Sequence, residues 1–147
     1  PEQILVTAGA QHAFSLTLAL AVMPGDRVLV EHPTYPNALD AARGAGARFV
    51  PVALTDDGWD VDALSAALRQ TAPRLAYLVP DFHNPTGLLA SPEERAALAR
   101  PLARSRTLTV VDETLVDLRL DGPDLPPPIA TKISPAQKSF GARMCIA

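Results

Sequence analysis

Cysteine is almost missing from this sequence, and lysine nearly so. The single cysteine, Cys145, excludes an internal disulfide framework and suits a reducing cytoplasm. Only Lys132 and Lys138 could supply a lysine amine to any chemistry. No apolar run is long enough to span a bilayer, and neither a membrane segment nor a secretory leader is expected. Leu16 to Val22 is apolar, but it lies between turn signals and reads as a core helix. The net charge is −3 and the basic residues are scattered along the chain, which argues against a nucleic-acid groove or a polybasic membrane patch. His12, His32, His83 and Cys145 lack the tight spacing of metal ligands, so no metal site is expected. There is no Gly-rich nucleotide loop of either common type, and no internal repeat.

What is present is the composition of a globular domain: 147 residues, 48% hydrophobic and 20% charged. The sequence starts at Pro1, without an initiator methionine and at the edge of a strand, and stops at Ala147 after an apolar stretch. The expectation is a segment of a longer polypeptide.

Strand and helix signals alternate. Ile4–Thr7 reads as a short strand, followed by a helix to about Met23 that Pro24-Gly25-Asp26 ends. Arg27–Glu31 is the next strand, and Asn37–Arg43 a short helix with Gly44 or Gly46 past its end. Arg48–Leu54 is a strand and Thr55–Gly58 a turn. Asp60 is placed to cap a helix reaching Gln70. Leu75–Val79 is a strand. Ser91 and Glu94 form a capping box with Pro92 at the first helical position, and that helix runs to about Arg104 with a distortion at Pro101. Thr107–Val111 is the last strand read with conviction. The strands are near-continuous Val, Leu and Ile, which indicates a mainly parallel sheet covered on both faces: a three-layer α/β sandwich. Beyond Leu120 the pattern fails, with a loop at Asp121–Asp124 and Pro126–Pro128.

In open α/β sheets, ligands bind outside the carboxyl ends of the strands. Four strand ends here carry unusual chemistry. Thr7-Ala8-Gly9-Ala10-Gln11 is a small-residue turn opening onto a helix, where free backbone N–H groups favour a phosphate. In Glu31–Asn37 two prolines fix the backbone on either side of Tyr35, whose ring could present a flat face. In Pro80–Ala90, Asn84-Pro85-Thr86-Gly87 is a good turn sequence and Asn84 offers an amide. Asp112-Glu113 follows the last strand, where a carboxylate faces a ligand or serves a turn. Together these suit a phosphorylated aromatic heterocycle with a basic ring nitrogen.

The segments TAGAQHA, EHPTYPN, NPTG and VVDE, in this order, resemble the large domain of fold-type-I aminotransferases, which use pyridoxal 5′-phosphate (PLP). Among these, EHPTYPN and DETLVDLRLDG are most similar to the aminotransferase-like domains of GntR/MocR-type transcriptional regulators. The resemblance covers residues 1–128, implied to be the cofactor-binding part of an incomplete large domain, with 129–147 its divergent or truncated end. It implies that Gly9, Ala10 and Gln11 hold the phosphate, that Tyr35 stacks on the pyridine ring, and that Asn84 bonds the ring's 3′-oxygen. Asp112 would pair with the protonated ring nitrogen, and Glu113 would belong to the loop. Where many relatives carry a further tyrosine contact after the aspartate, Thr114 and Leu115 stand here.

QKSFGAR, residues 137–143, is similar to the family's lysine segment. Lys138 then becomes the residue bonded covalently to the cofactor, and Arg143 a phosphate ligand. Gln137 in place of a serine, Pro135 in the preceding strand and a shortened lysine-to-arginine gap are departures, so a divergent tail stays an open alternative. The implied substrates are amino acids and 2-oxo acids, the implied assembly a homodimer, the compartment cytoplasmic. Nucleic acid would be met only through a separate N-terminal domain. The same pocket suits a transaminase, a sensor of PLP or an amino-acid effector, or an inactive truncated relative. The segment alone is expected to be a poor transaminase.

Overall fold

The computed structural model describes residues 5–116 and 144–146. Its elements in chain order are α1 (Ala10–Ala21), β1 (Arg27–His32), α2 (Pro36–Gly44), β2 (Arg48–Thr55), β3 (Gly58–Trp59), α3 (Val61–Thr71), β4 (Leu75–Leu78), α4 (Pro92–Arg104), β5 (Leu108–Asp112) and β6 (Met144–Ile146). One sheet runs in the order β3-β2-β1-β4-β5-β6. The inner pairs β2/β1, β1/β4 and β4/β5 are parallel, and the outermost strands β3 and β6 join antiparallel.

Alternation along the strands builds the two cores, because successive side chains leave opposite faces of a sheet. Val28 and Val30 of β1, Leu75 and Tyr77 of β4 and Val110 of β5 pack with Phe14 and Leu18 of α1 and Ala38 and Ala42 of α2. Leu29, Ala76, Leu78 and Val111 point the other way, onto Leu64 and Leu68 of α3 and Leu98 and Leu102 of α4. This is the three-layer α/β arrangement read from the sequence.

Local chemistry sets the helix ends. Asp60 Oδ1 accepts from the Ala63 N–H at 2.8 Å and caps α3. At α4, Ser91 Oγ accepts from Glu94 N and Glu94 Oε2 accepts from Ser91 N, the two halves of a capping box. The helix runs unbroken through Pro101, which lies in its last turn, where a missing N–H costs a single ladder bond.

The structure corrects the sequence reading at three strands. Residues 5–7 form no strand, and Leu5 and Val6 are 75% and 89% exposed. A strand needs a neighbour to pair with, and both edges of β1 are already taken by β2 and β4. The turn after β2 closes into a hairpin with β3, in which Leu54 pairs with Trp59 and Thr55 with Gly58. Residues 144–146 add β6 beyond β5, pairing Cys145 with Val111.

Candidate functional site

The strand order reverses direction at β1. The chain moves outward to β2 and β3, then returns to place β4 and β5 on β1's other side. Loops leaving the carboxyl ends of β1 and β4 therefore diverge and open a crevice between them, the usual ligand position in such sheets. A cavity of about 270 Å³ lies there, near the lower end of the ~300–1,000 Å³ typical of small-molecule sites. Ala10, Gln11, Tyr35, Asn84 and Asp112 all line it.

The N-terminus of α1 forms one wall. Its N-cap, Gly9, has φ 104°, a conformation that favours glycine, and offers no side-chain cap. The first intrahelical bond runs from Ala13 N to Gly9 O, so the N–H groups of residues 10–12 have no acceptor within the helix. No acidic residue occupies the first turn. Such an end carries partial positive charge and suits an anion. Gly9 itself stands one residue outside the cavity lining. The Gln11 side chain donates to Asn37 O at 3.1 Å and ties α1 to α2.

Tyr35 is half-buried at the start of α2, and its hydroxyl accepts from Asn37 Nδ2 at 2.7 Å. Asn84 is exposed at the tip of the loop leaving β4. That loop is closed by Ala90 N donating to Pro80 O and Gly87 N donating to His83 O, with Gly87 at φ 75°. From α4, buried Arg95 pairs with buried Asp81 and donates to Ala90 O, which fixes both ends of the loop.

Asp112 ends β5 and is only 8% exposed. Its Oδ2 accepts from the Tyr77 hydroxyl at 2.6 Å and its Oδ1 from Thr114 N at 2.9 Å. Burial first, and then the adjacent Asp112 carboxylate, push the Tyr77 phenol far above its ordinary value, so that it stays a donor. The Tyr77 ring packs at 4.6 Å from that of Phe14. Phe14, Tyr77 and Val79 also line the cavity, although the sequence analysis gives them no site role. The one available signal was a hydroxyl-bearing ring inside an otherwise apolar strand, since a buried phenol needs a partner. Thr114 and Leu115 line the cavity as well. Glu113 is buried beside Asp112 and holds interactions of its own. Lys132, Lys138 and Arg143 lie outside the described residues.

A larger cleft of about 880 Å³ opens at the other end of the sheet, near the amino ends of β1, β4 and β5. Arginines scattered in sequence gather there: Arg27, Arg69, Arg74, Arg100, Arg104 and Arg106. None of the motif residues reaches it, so size alone does not mark the functional cavity.

The profile of the family "Aminotransferase class I and II" matches residues 1–135. A 2-aminoadipate transaminase of Thermus thermophilus is 39% identical over 113 residues, covering 77% of this chain and 28% of the relative. A vitamin B6 salvage pathway transcriptional repressor of Salmonella typhimurium is 37% identical over 109 residues, covering 74% of this chain and 25% of the relative. Among solved structures, the α-aminoadipate aminotransferase of Thermus thermophilus, complexed with N-(5′-phosphopyridoxyl)-L-leucine, superposes with a TM-score of 0.70 at 37% identity. That match covers 74% of this chain and 28% of the other. The chain thus spans less than a third of the length of these relatives.

Proposed function

The chain belongs to the class I and II aminotransferase family, and from that premise we propose that its cavity binds pyridoxal 5′-phosphate and serves amino-acid chemistry. One observation carries the reading. Four loops that are distant in sequence bring a helix N-terminus, an aromatic ring, an amide and a buried carboxylate to a single cavity of about 270 Å³.

The donor set fits the cofactor group by group. The N–H groups at the start of α1, with no acid nearby, would take the phosphate. Tyr35 would lie against the ring, and the Asn84 amide would donate to the ring's 3′-oxygen. Asp112, anchored by Tyr77 and Thr114, keeps lone pairs for the protonated ring nitrogen in a charge-assisted bond. Lys138 and Arg143 keep the roles of covalent attachment and phosphate binding in this proposal, and 129–147 that of a divergent end to the domain formed by 1–128. When bound, PLP supplies the electron-withdrawing ring that weakens bonds at an amino acid's Cα. The chain's own residues would hold the group: Tyr35 against its ring, Asp112 facing its nitrogen and the start of α1 at its phosphate.

Amino acids and their 2-oxo acids are the ligand class of this reading, a homodimer its assembly and the cytoplasm its compartment. A second use of the same pocket, sensing PLP or an amino acid for transcriptional control, is favoured by the likeness to the vitamin B6 repressor. Titration of the chain with PLP, followed by visible absorbance and by the fluorescence of its single tryptophan, tests the shared premise. Saturable binding that Asp112→Ala strongly weakens supports it, and binding untouched by that change refutes it. Amino-acid addition to the loaded parent protein then separates the uses: turnover marks the enzyme, and a spectral change without turnover marks the sensor.

A further inference from the structure

Beneath the Asn84 loop lies a buried polar group that the cofactor contacts do not use. Glu31, at the carboxyl end of β1, is 2% exposed, and His83 is 1% exposed. Glu31 Oε2 accepts from Val79 N at 2.9 Å and lies 3.2 Å from His83 Nε2. Its Oε1 accepts from the indole N–H of Trp59 on β3. On the other side of the imidazole, Nδ1 lies 2.9 Å from Thr86 Oγ1, which also accepts from Leu88 N. The backbone of His83 holds the turn as well, through His83 N to Leu88 O and Gly87 N to His83 O.

A buried carboxylate is costly unless donors surround it. Here the hydrogen-bond donors are the Val79 amide and the Trp59 indole, while His83 Nε2 stands at 3.2 Å from Oε2 without a hydrogen bond. Asn84 is the residue next to that histidine. The imidazole is wedged between Glu31 Oε2 at 3.2 Å from Nε2 and Thr86 Oγ1 at 2.9 Å from Nδ1. The ring is thus oriented from both sides, and with it the turn that carries the Asn84 amide to the cavity. We propose that Glu31 and His83 are positioning residues for Asn84, setting the contact between its amide and the cofactor ring through the Glu31–His83–Thr86 relay. The cofactor end of this inference rests on the function proposed above.

The test uses the full chain and a double-mutant cycle. Asn84→Ala weakens PLP binding about tenfold, the loss of one hydrogen bond. His83→Leu reproduces that loss, and H83L/N84A is no weaker than N84A alone, because both changes remove one contact. His83→Gln, whose amide N–H can face Glu31, restores the affinity. Additive losses, or H83Q as weak as H83L, overturn the proposal. An arm without cofactor keeps it independent: in the unloaded chain, H83L moves the Asn84 and Gly87 amide resonances and H83Q leaves them in place. Unmoved resonances in H83L overturn it, whereas failure of the wild-type chain to take PLP overturns only the cofactor reading. Should H83L not fold, Glu31→Gln gives the same reading. It leaves one carbonyl oxygen for the Trp59 and Val79 donors and turns an amide N–H toward one of them, so the Asn84 and Gly87 resonances and the Trp59 emission shift together. No shift in either overturns the relay.

Discussion

Replacing Tyr77 by phenylalanine isolates the hydroxyl that holds Asp112. The ring and its packing on Phe14 survive the change, so no cavity of consequence opens. What is lost is a 2.6 Å hydrogen bond to a carboxylate inside the protein. Bonds to charged groups contribute about 1.5–3 kcal/mol, and Asp112 Oδ2 would keep no other donor among the described residues. Y77F should therefore lose about 2 kcal/mol of stability in denaturant unfolding at pH 8. A second arm reads pH. Tyr77 is raised above its ordinary 10.0 by burial and by Asp112. Below pH 10 it is protonated in both states and contributes no pH dependence. Above that, the unfolded chain releases the proton while the folded chain retains it, so stability falls by about 1.4 kcal/mol per pH unit. Y77F should lack this tyrosine's share of the alkaline slope. Ultraviolet titration of the folded protein should show one of its two tyrosines ionising only on unfolding. Wild-type stability in Y77F, or an unchanged alkaline slope, would refute the reasoning.

Three further outcomes are expected. Asp112→Ala should weaken PLP binding by about 2–5 kcal/mol while Glu113→Ala is much milder; equal losses in equilibrium titrations would mean the wrong acid has been chosen. Gly58→Ala should destabilise by at least ~1–3 kcal/mol in thermal or urea unfolding. Gly58 sits at φ 110°, and an added Cβ would stand 2.1 Å from Glu94 Oε1, so a neutral result would contradict the packing between β3 and α4. Borohydride reduction of the PLP-treated chain followed by peptide mapping should place the label on Lys138; a label on Lys132, or none, rejects that assignment.

Much of the architecture was written locally. The capping box at Ser91 and Glu94, the Asp60 cap and the Pro24-Gly25 stop are each settled within about one helical turn of chain, and each was read without the structure. The near-continuous apolar strands were read as covered on both faces, and strand alternation does send Leu29 to one face and Val28 to the other. The polar-loop motifs also named five residues that line one cavity. Tyr35, Asn84 and Asp112 lie at or beyond strand ends that a parallel sheet delivers to one edge, whereas Ala10 and Gln11 come from the start of α1, with no strand before it among the described residues.

The sequence by itself therefore determined the layer order, the helix ends and the type of edge at which polar loops meet. Tertiary structure alone decided which side chains touch there. Tyr77 meets Asp112 across 35 positions and Glu31 meets the Val79 amide across 48, because β4 lies between β1 and β5. The pairings of β3 and β6, and the absence of a strand at residues 5–7, follow from the same neighbour relations. Periodicity records which face a residue takes; only strand adjacency records which partner it finds there.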